Sequence, residues 1–319
     1  MYKLYIRDSN NGNLMDITNL ASDIQYTTEL NGQAGKLTFL VPQDPNNILT
    51  LSNGSNVAFY NDDKGIFYGY VFTLGTDKSN NYKVTCFDQL RYLKNEEVYV
   101  TQNQTASQIF EKICQDNQIK YKIVTPTNYI PDPYLHDKKT LYAIIERGMQ
   151  LANISDKKQY FIKDKFGELQ WTELGKEKTN LVIGQESLLT DYQYEISIDS
   201  ETYNNIKFVR DNKTTGKRDV WIFKDSNTQK RFGKLQYLEK ADEEMNEAAI
   251  RDLGEKLLNL RNKETKTLKL DAIGVDELVA GSGFTFKLDK LNINEAMWIK
   301  SATHNYKHGI HTMTLEVFI

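Results

Sequence analysis

Residues 54–60 read GSNVAFY and residues 281–287 read GSGFTFK, so a glycine-serine turn followed by alternating apolar residues occurs twice. Each copy is followed by a polar turn and by two more runs that alternate as half-buried strands do. These following runs are residues 67–73 and 82–87 in the first copy, and residues 297–303 and 311–317 in the second. The pattern predicts two related β units, although short hairpins also resemble one another by chance.

The amino-terminal residues predict a series of short antiparallel strands. Residues 2–7 alternate and run into a turn-rich stretch, and residues 24–30 and 36–41 form a second strand pair around a glycine-containing turn. Pro42 then interrupts the pairing, because proline has no backbone N–H to donate. Together with the first repeat copy, about six short strands fit a small closed barrel. We predict this barrel over residues 1–98.

The next part of the chain has the pattern of an α+β domain. A capping box at residues 105–108 begins an amphipathic helix that extends to about Asn117. Residues 141–152 place apolar side chains on one face of a second helix. Residues 160–171 contain two strand-like runs around the turn sequence DKFG. We predict this α+β domain over residues 99–190.

The carboxyl-terminal part returns to strands and adds a helix. Residues 192–198 alternate, residues 205–223 read as a hairpin, and residues 241–262 predict the longest helix of the chain. We assign residues 191–319 to a second barrel, with residues 191–237 completing the first barrel as the alternative. The predicted fold class is therefore α+β, mainly β, with two related small antiparallel β-barrels, an α+β domain between them and one long amphipathic helix.

Length and charge limit the possible functions. The chain has 319 residues, which suggests two domains at about 150 residues each. Its 40 Lys and Arg and 43 Asp and Glu are interspersed and give a formal net charge of −3. Such a surface does not gather nucleic acid or anionic lipid, so we predict no sequence-specific nucleic-acid binding. Signal-peptide and membrane-span patterns are absent from the sequence, so we also predict no membrane insertion and synthesis in a cytoplasm.

Three of the four histidines are close in sequence and are the candidate metal ligands: His304, His308 and His311. In a helix, His304 and His308 would share a face and could hold zinc. The sequence lacks an HExxH arrangement here, and residues 307–309 favour a hairpin turn. We therefore predict no metal and no cofactor, with His308 in the turn and the other two packing or hydrogen-bonding on the flanking strands.

The remaining residues do not form a catalytic pattern. Residues 281–283 look like the start of a phosphate loop, but Phe286 stands at the next glycine position and a strand follows instead of a helix. His136 is a lone histidine in a proline-rich loop, where it would flank the next helix. Cys86 and Cys114 are far apart and predict two buried thiols. We predict no catalytic residues.

Four motifs, taken in order, resemble one known protein family. They are residues 105–110 (TASQIF), 141–148 (LYAIIERG), 233–237 (GKLQY) and 304–315, which end in HTMTL. Their order and spacing resemble the tail hub (baseplate hub) family of contractile phage tails and phage-tail-like particles. The similarity is greatest to the branch found in defective Bacillus prophages and clostridial R-type bacteriocins, and it extends over nearly the whole chain.

This resemblance implies a structural protein and not an enzyme. In such hubs, two related barrels per chain and three chains per ring give six barrels that continue the six-fold tail tube. The same ring presents three-fold symmetry to the central spike. The implied partners are a homotrimer, the tail tube protein, the central spike protein and baseplate wedge proteins. The implied location is the baseplate of a phage tail or tail-like particle assembled in the host cytoplasm.

Contacts in such an assembly are expected at the helix predicted over residues 241–262 and at loops such as Pro42–Asn53. Some family members carry a peptidoglycan hydrolase as an extra domain. This chain stops at Ile319 without such a domain, so we expect any cell-wall cutting to belong to a partner.

Two alternatives to the hub remain. One is a peptidoglycan hydrolase with its active site near Trp171 and the neighbouring acids. The other is a glycan or single-strand binding module that uses some of the 19 tyrosines and 14 phenylalanines on barrel faces. Most of these rings alternate with polar residues on strands, which favours core and subunit-contact roles for them.

Overall fold

The computed structural model describes residues 1–30, 32–43, 51–76, 78, 80–199, 201–212, 216–241 and 245–319. The chain forms two compact units: the first comprises residues 1–192 and 269–318, and the second residues 193–268 with Ile319. Strands predominate, and the predicted fold class, α+β and mainly β, is confirmed. The division into residues 1–98, 99–190 and 191–319 stays a prediction.

The predicted strands and hairpins are present. The strands are β1 Tyr2–Arg7, β2 Leu14–Asp16, β3 Ser22–Glu29, β4 Lys36–Pro42, β5 Asn56–Asn61, β6 Lys64–Thr76, β7 Asn81–Phe87, β8 Glu96–Thr101, β9 Tyr121–Ile123, β10 Tyr134–Thr140, β11 Tyr160–Asp164, β12 Leu169–Glu173, β13 Lys178–Gly184, β14 Leu189–Ser197, β15 Asn205–Asn212, β16 Lys217–Lys224, β17 Gln236–Lys240, β18 Thr265–Ile273, β19 Gly283–Leu288, β20 Ile293–Lys307 and β21 Ile310–Val317. The helices are α1 Ala106–Asp116, α2 Leu141–Asp156, α3 Ser226–Phe232 and α4 Glu247–Arg261, with short 3-10 helices at Gln89–Lys94 and Asp289–Leu291. Within the described residues, no helix is both long and apolar enough to cross a membrane.

The first unit is built on an antiparallel sheet in which neighbouring strands follow the order β21-β20-β3-β4-β7-β6-β5-β1-β2. Alternation explains its buried face, since Leu37, Phe39 and Val41 of β4 are all buried. Strand β3 joins the two ends of the sequence, because Tyr26 pairs with Leu37 on one side and with His304 on the other. Residues from both ends therefore share one hydrophobic core.

The predicted repeat is present as two antiparallel meanders, β5-β6-β7 and β19-β20-β21. In the first, Gly54 has a φ of +84°, a left-handed conformation that favours glycine. Its N–H donates to the carbonyl of Val71 at 2.7 Å, and the N–H of Val71 donates to the carbonyl of Ser55 at 2.9 Å. These two bonds fix the point at which the turn becomes a strand.

The second meander repeats this junction bond for bond. Gly281 has a φ of +87°. Its N–H donates to the carbonyl of Ile299 at 2.8 Å, and the N–H of Ile299 donates to the carbonyl of Ser282 at 3.0 Å. The two glycine-serine pairs quoted from the sequence therefore occupy equivalent positions in two equivalent structures.

The meanders also share a β-bulge, an irregularity that sets strand register. The register shifts immediately after Val71, which lies opposite Cys86, and immediately after Ile299, which lies opposite Val317. The third strands bury equivalent positions, which are Val84 and Cys86 in β7 and Leu315 and Val317 in β21. Agreement in turn, hydrogen bonds, bulge and burial is too detailed for a chance likeness between hairpins.

The helices α1 and α2 pack together beside the small sheet β11-β12-β9. Helix α1 begins with the predicted capping box, in which the hydroxyl of Thr105 accepts from the N–H of Gln108 and the Gln108 side chain accepts from the N–H of Thr105. Gly148 of α2 allows close approach, since a Cβ there would lie 3.3 Å from that of Ala106. Trp171 fills the centre of this core.

The second unit contains the three-stranded sheet β16-β15-β17 and helix α4. Alternation again explains the packing, because Ile206 and Phe208 of β15 are buried against Ile250 of α4. The opposite face of this sheet carries exposed aliphatic residues, among them Ile222 and Leu238.

The helix predicted over residues 241–262 is shorter, and the prediction of its start was wrong. It begins at Glu247, where the side chain of Asn246 accepts a hydrogen bond from the N–H of Ala249 at 2.8 Å and caps the helix. Residues 242–244 of the prediction lie outside the described residues. Helix α2, with 16 residues, is longer than the 15 residues of α4 among the described helices.

The loop predicted to make contacts, Pro42–Asn53, is described only in part. Pro42 is the last residue of β4 and lies opposite Asn81. Residues 44–50 lie outside the described residues, so a contact role for this loop stays a prediction.

Candidate functional site

The hairpin of β20 and β21 brings two of the three candidate histidines together. Its turn contains His308 and Gly309, whose φ values of 51° and 77° are those of a type I′ hairpin turn. His304 lies on β20 and is fully buried, and His311 lies on β21 opposite Tyr306. The structure thus places the three histidines as the hairpin interpretation predicts, with exposed His308 in the turn.

Hydrogen bonds assign one set of tautomers to the two buried rings. His304 Nε2 lies 3.0 Å from the carbonyl oxygen of Leu278, so this nitrogen carries a hydrogen. His304 Nδ1 is then an acceptor, and His311 Nε2 donates to it at 2.9 Å. His311 Nδ1 accepts in turn from the hydroxyl of Tyr2 at 3.2 Å. The result is a continuous chain of donors and acceptors from β1 through β21 and β20 to the loop before β19.

Asp276 lies beside this chain and has its own partners. The hydroxyl of Tyr306 donates to Asp276 Oδ1 at 2.8 Å, and the side-chain amide of Asn61 donates to Oδ2 at 2.6 Å. His311 Nδ1 is 3.6 Å from Oδ1, close enough for an ion pair if the ring takes up a proton. The cluster can therefore place one proton on His311, next to a carboxylate.

Burial keeps both rings neutral at pH 7. It lowers the pKa of His304 from 6.5 to about 4, and the neighbouring His311 adds to this effect. Burial also lowers the pKa of His311, while Asp276 opposes that shift. A metal ion would need the ring lone pairs that these hydrogen bonds already use. Among the described residues, no three His, Cys, Asp or Glu side chains are grouped to hold a metal, and its absence stays a prediction.

The sequence placed His136 in a loop, but the structure places it in a strand. It is buried on β10 and lies opposite Tyr99 of β8. Its Nε2 is 3.2 Å from the hydroxyl of Thr101, and burial lowers its pKa. The proline-rich stretch ends at Pro133, so the following residues can donate ladder hydrogen bonds and form a strand.

Trp171, on which the hydrolase alternative rested, is entirely buried. Its ring lies 5.7 Å from that of Phe110 and 5.8 Å from that of Tyr160. A cell-wall polymer cannot reach it. The two thiols are buried as predicted, and burial raises the pKa of Cys114 to about 12 and that of Cys86 further.

A family model described as YqbQ-like matches residues 24–318, more than nine-tenths of the chain. The chain belongs to the YqbQ-like family. A relative of this YqbQ-like chain is the phage-like element PBSX protein XkdQ of Bacillus subtilis strain 168, which is 28% identical over 284 residues. The match covers 88% of this chain and 86% of XkdQ.

Solved structures extend the comparison at the level of the fold. The 43 kDa tail protein of prophage MuSo2 from Shewanella oneidensis has a TM-score of 0.70 and 14% identity, covering 99% of this chain and 98% of that one. An E. coli component of the type VI secretion system, described as structurally similar to bacteriophage T4 tail proteins gp27 and gp5, has a TM-score of 0.56 and 11% identity, covering 93% and 73%. The YqbQ-like chain therefore has the fold of phage tail proteins.

Sequence reasoning missed a buried pair of carboxylates in this YqbQ-like chain. The side chain of Asp88 accepts hydrogen bonds from the N–H groups of Gly35 and Leu90, at 2.8 and 3.0 Å. Burial and the Asp164 carboxylate raise the pKa of Asp88 well above its usual value. Burial likewise raises the pKa of Asp164 to about 6. The predicted turn DKFG located Asp164 correctly, but nothing local in the sequence indicates that its partner is 76 positions away.

The binding-module alternative has one structural feature to consider. A cleft of about 830 Å³ is lined in part by Tyr68, Tyr70 and Phe166. These rings pack on one another, with centroid distances of 6.3 Å for the two tyrosines and 5.5 Å for Tyr68 and Phe166. They form a cluster of tilted and edge-on rings, whereas bases and sugars stack best on a single exposed ring face.

Proposed function

We propose that this protein is the baseplate hub of a contractile phage tail or phage-tail-like particle. In this proposal, three copies form a ring whose six similar meanders adapt the six-fold tail tube to the three-fold central spike. The similarity of the chain to a phage-like-element protein, at 28% identity, supports a tail role. The fold shared with tail proteins over almost the whole chain supports it independently.

The observation that carries the proposal is the repeated junction at Gly54 and Gly281. Both glycines have left-handed φ values, and both donate to the second strand of their own meander at nearly the same distance. A ring of three chains can present six equivalent positions only if each chain contains the same structure twice. The two meanders supply that repeat within one chain.

The proposal extends to partners and location. The ring would bind the tail tube protein on one side and the central spike protein on the other, with baseplate wedge proteins outside, after assembly in the host cytoplasm. We place the particle in the branch of defective Bacillus prophages and clostridial R-type bacteriocins, with an infectious phage and a bacteriocin as the two alternatives. The boundaries 1–98, 99–190 and 191–319 remain our assignment of the two barrels and the domain between them.

We propose a non-enzymatic role. Trp171, which the hydrolase alternative would use, is buried. The ring nitrogens of His304 are engaged in hydrogen bonds with His311 and the carbonyl of Leu278. In the proposal, His304 and His311 tie the closing meander to β1.

The decisive experiment is to measure the mass of the purified chain in solution and its symmetry in the particle. Sedimentation at micromolar concentration should give three chains per complex, or three-fold averaging of particle images should place three copies around the channel. A single copy per particle would overturn the proposal. Release of muropeptides from peptidoglycan at catalytic rates would favour the hydrolase instead. Salt-sensitive micromolar binding of oligonucleotides, or saturable binding of sugars, would favour the binding module.

A further inference from the structure

Two strands at sheet edges have unusual outward faces. Within the described residues, β8 has β10 as its sheet neighbour and no strand on its other side, and β16 likewise has β15 alone. Each edge strand is exposed along aliphatic side chains: Val98 54% and Val100 61% in β8, and Val220 48% and Ile222 56% in β16. Open edges of this kind pair readily with another chain unless something blocks them.

Protection against pairing is confined to parts of each edge. Charged residues stand at the strand ends, with Glu96 and Glu97 in β8 and Arg218 and Lys224 in β16, and the neighbouring strand β10 has a bulge opposite Val98. Proline is absent from both segments, whose sequences are EEVYVT and KRDVWIFK. The N–H of Val98 is held by the exposed carboxylate of Glu97 at 2.9 Å, a local bond that an incoming strand can displace. The central residues of the two strands, 98–100 and 220–222, carry no charge, so a partner edge with opposite charges at its end can pair with them.

The two strands are complementary in one register. Running them antiparallel with Val98 opposite Ile222 also places Val100 opposite Val220, and Glu96 opposite Lys224. In the same register Tyr99 lies opposite Trp221. Residues directly opposite one another in an antiparallel pair share a face, so apolar or aromatic side chains meet at three positions and opposite charges meet at one, while Glu97 lies opposite Phe223.

Other registers are worse. A parallel arrangement with Val98 beside Val220 places Glu97 beside Asp219, which puts two carboxylates together. Sliding the antiparallel register by two residues places Glu96 opposite Ile222. Antiparallel pairing of β16 with β16, with Val220 opposite Ile222, brings Lys224 opposite Arg218, and like charges destabilise a strand pair. Antiparallel pairing of β8 with β8 sets Glu96 and Glu97 opposite neutral residues, without the cation that Lys224 supplies. The complementarity is between unlike edges, as a head-to-tail contact requires.

We propose that β8 of one copy adds antiparallel to β16 of the next copy, in the register that pairs Val98 with Ile222, and that this contact closes the ring. The occupant of each edge is a second copy of this chain. Because each copy has one edge of each kind, the contact is heterologous and can repeat around a closed ring. The inference rests on the proposed trimer and goes beyond it by naming the strands that meet.

A disulfide experiment tests the register directly. Chains carrying Val98→Cys are mixed with chains carrying Ile222→Cys and oxidised. The two native cysteines are fully buried, so background cross-linking is low. We expect a two-chain product in the mixture and none from either variant alone, because a cross-strand pair lies within reach of a disulfide. Val182→Cys, another exposed valine on a strand, replaces Val98→Cys in the control mixture and should not cross-link.

Charge reversal tests the contact without cysteines. Glu96→Lys or Lys224→Glu alone should weaken assembly about tenfold, since like charges then meet at an interface. The double variant should recover to within about threefold of wild type, because the pair is restored with its signs exchanged. Glu186→Lys, the same change at an exposed turn, is the control and should leave assembly unchanged.

The outcomes separate this inference from the hub itself. A wild-type trimer without the Val98–Ile222 cross-link, or without recovery in the double variant, overturns the strand contact and leaves the hub standing. A wild-type chain that is monomeric both in solution and in the particle overturns both. A disulfide confined to single chains that carry both cysteines would also overturn the contact between copies.

Discussion

Acidification from pH 7 to pH 5 should destabilise the first unit through His304, and replacement by phenylalanine should remove this sensitivity. The folded protein holds the pKa of His304 at about 4, against 6.5 in an ordinary environment. The unfolded chain therefore binds a proton between these two pH values while the folded chain does not, so stability falls as pH falls through that window. Below pH 4 both states are protonated and the loss is complete.

The size of the effect follows from the two pKa values. A difference of about 2.5 pKa units corresponds to about 3 kcal/mol in the free energy of unfolding, of which about 2 kcal/mol is lost between pH 7 and pH 5. Other groups titrate in the same range, and Asp164 acts in the opposite direction. The quantity to measure is therefore the difference between wild type and His304→Phe at each pH.

The assay is urea unfolding followed by tryptophan fluorescence in a Trp221→Phe background. The remaining tryptophans, Trp171 and Trp298, both lie in the unit that contains His304. At pH 7 the variant should be less stable, because Leu278 loses its hydrogen-bond donor and His311 its acceptor. At pH 5 the difference in the free energy of unfolding between wild type and variant should be smaller by about 2 kcal/mol. A difference that stays constant between the two pH values within 0.5 kcal/mol, on the order of the usual fitting error, would refute the reasoning.

Three further substitutions test the repeat, the buried acid and the helix cap. Gly281→Ala should lower the free energy of unfolding by about 3 kcal/mol and Gly54→Ala by about 1 kcal/mol. Both positions need positive φ, but only the new Cβ at residue 281 meets a ring, that of Phe161 at 2.3 Å. Equal losses in urea unfolding would contradict this reasoning. Because the pKa of Asp164 is raised from 3.8 to about 6, the wild type loses stability as pH rises through this range. Relative to Asp164→Asn, its free energy of unfolding should fall by about 2 kcal/mol between pH 4 and pH 7. Parallel plots of unfolding free energy against pH for the two proteins would count against a buried carboxyl. Thr105→Ala should destabilise by about 1 kcal/mol in urea unfolding while Thr105→Ser should stay near wild type, and the same loss in both would exclude the capping box as the cause.

Local patterns predicted the elements well because they depend on neighbours in sequence. The capping box at residues 105–108 and the hairpin turn at residues 307–309 have the same physical basis in a peptide as in the fold. The motif at residues 233–237 carries a family resemblance, and the structure gives its physical role. The buried side chain of Asn204 donates to the carbonyl of Gly233 at 2.8 Å and accepts from the N–H of Leu235 at 2.9 Å, which holds the turn before β17.

Long-range pairing could not be predicted in the same way. The alternation in residues 22–29 shows that a strand has two faces, but it carries no information about which strand lies beside it. The pairing of Tyr26 with His304 and the proximity of Asp88 to Asp164 depend on the whole sheet. The start of α4 was missed for a different reason. Acidic residues before Asn246 resemble a first helical turn in sequence, whereas the cap of the helix is Asn246 itself.

The junction of β3 with β20 has a consequence for biosynthesis. Residues 22–29 leave the ribosome well before residues 301–306, the segment of β20 that pairs with β3. Until then β3 has an unfilled side, and a nascent chain with such a side is prone to join the wrong neighbour. A chain interrupted before residue 301 could not complete the middle of its sheet. Chains truncated before this segment should therefore keep β3 exposed and be degraded faster than the chain that contains it.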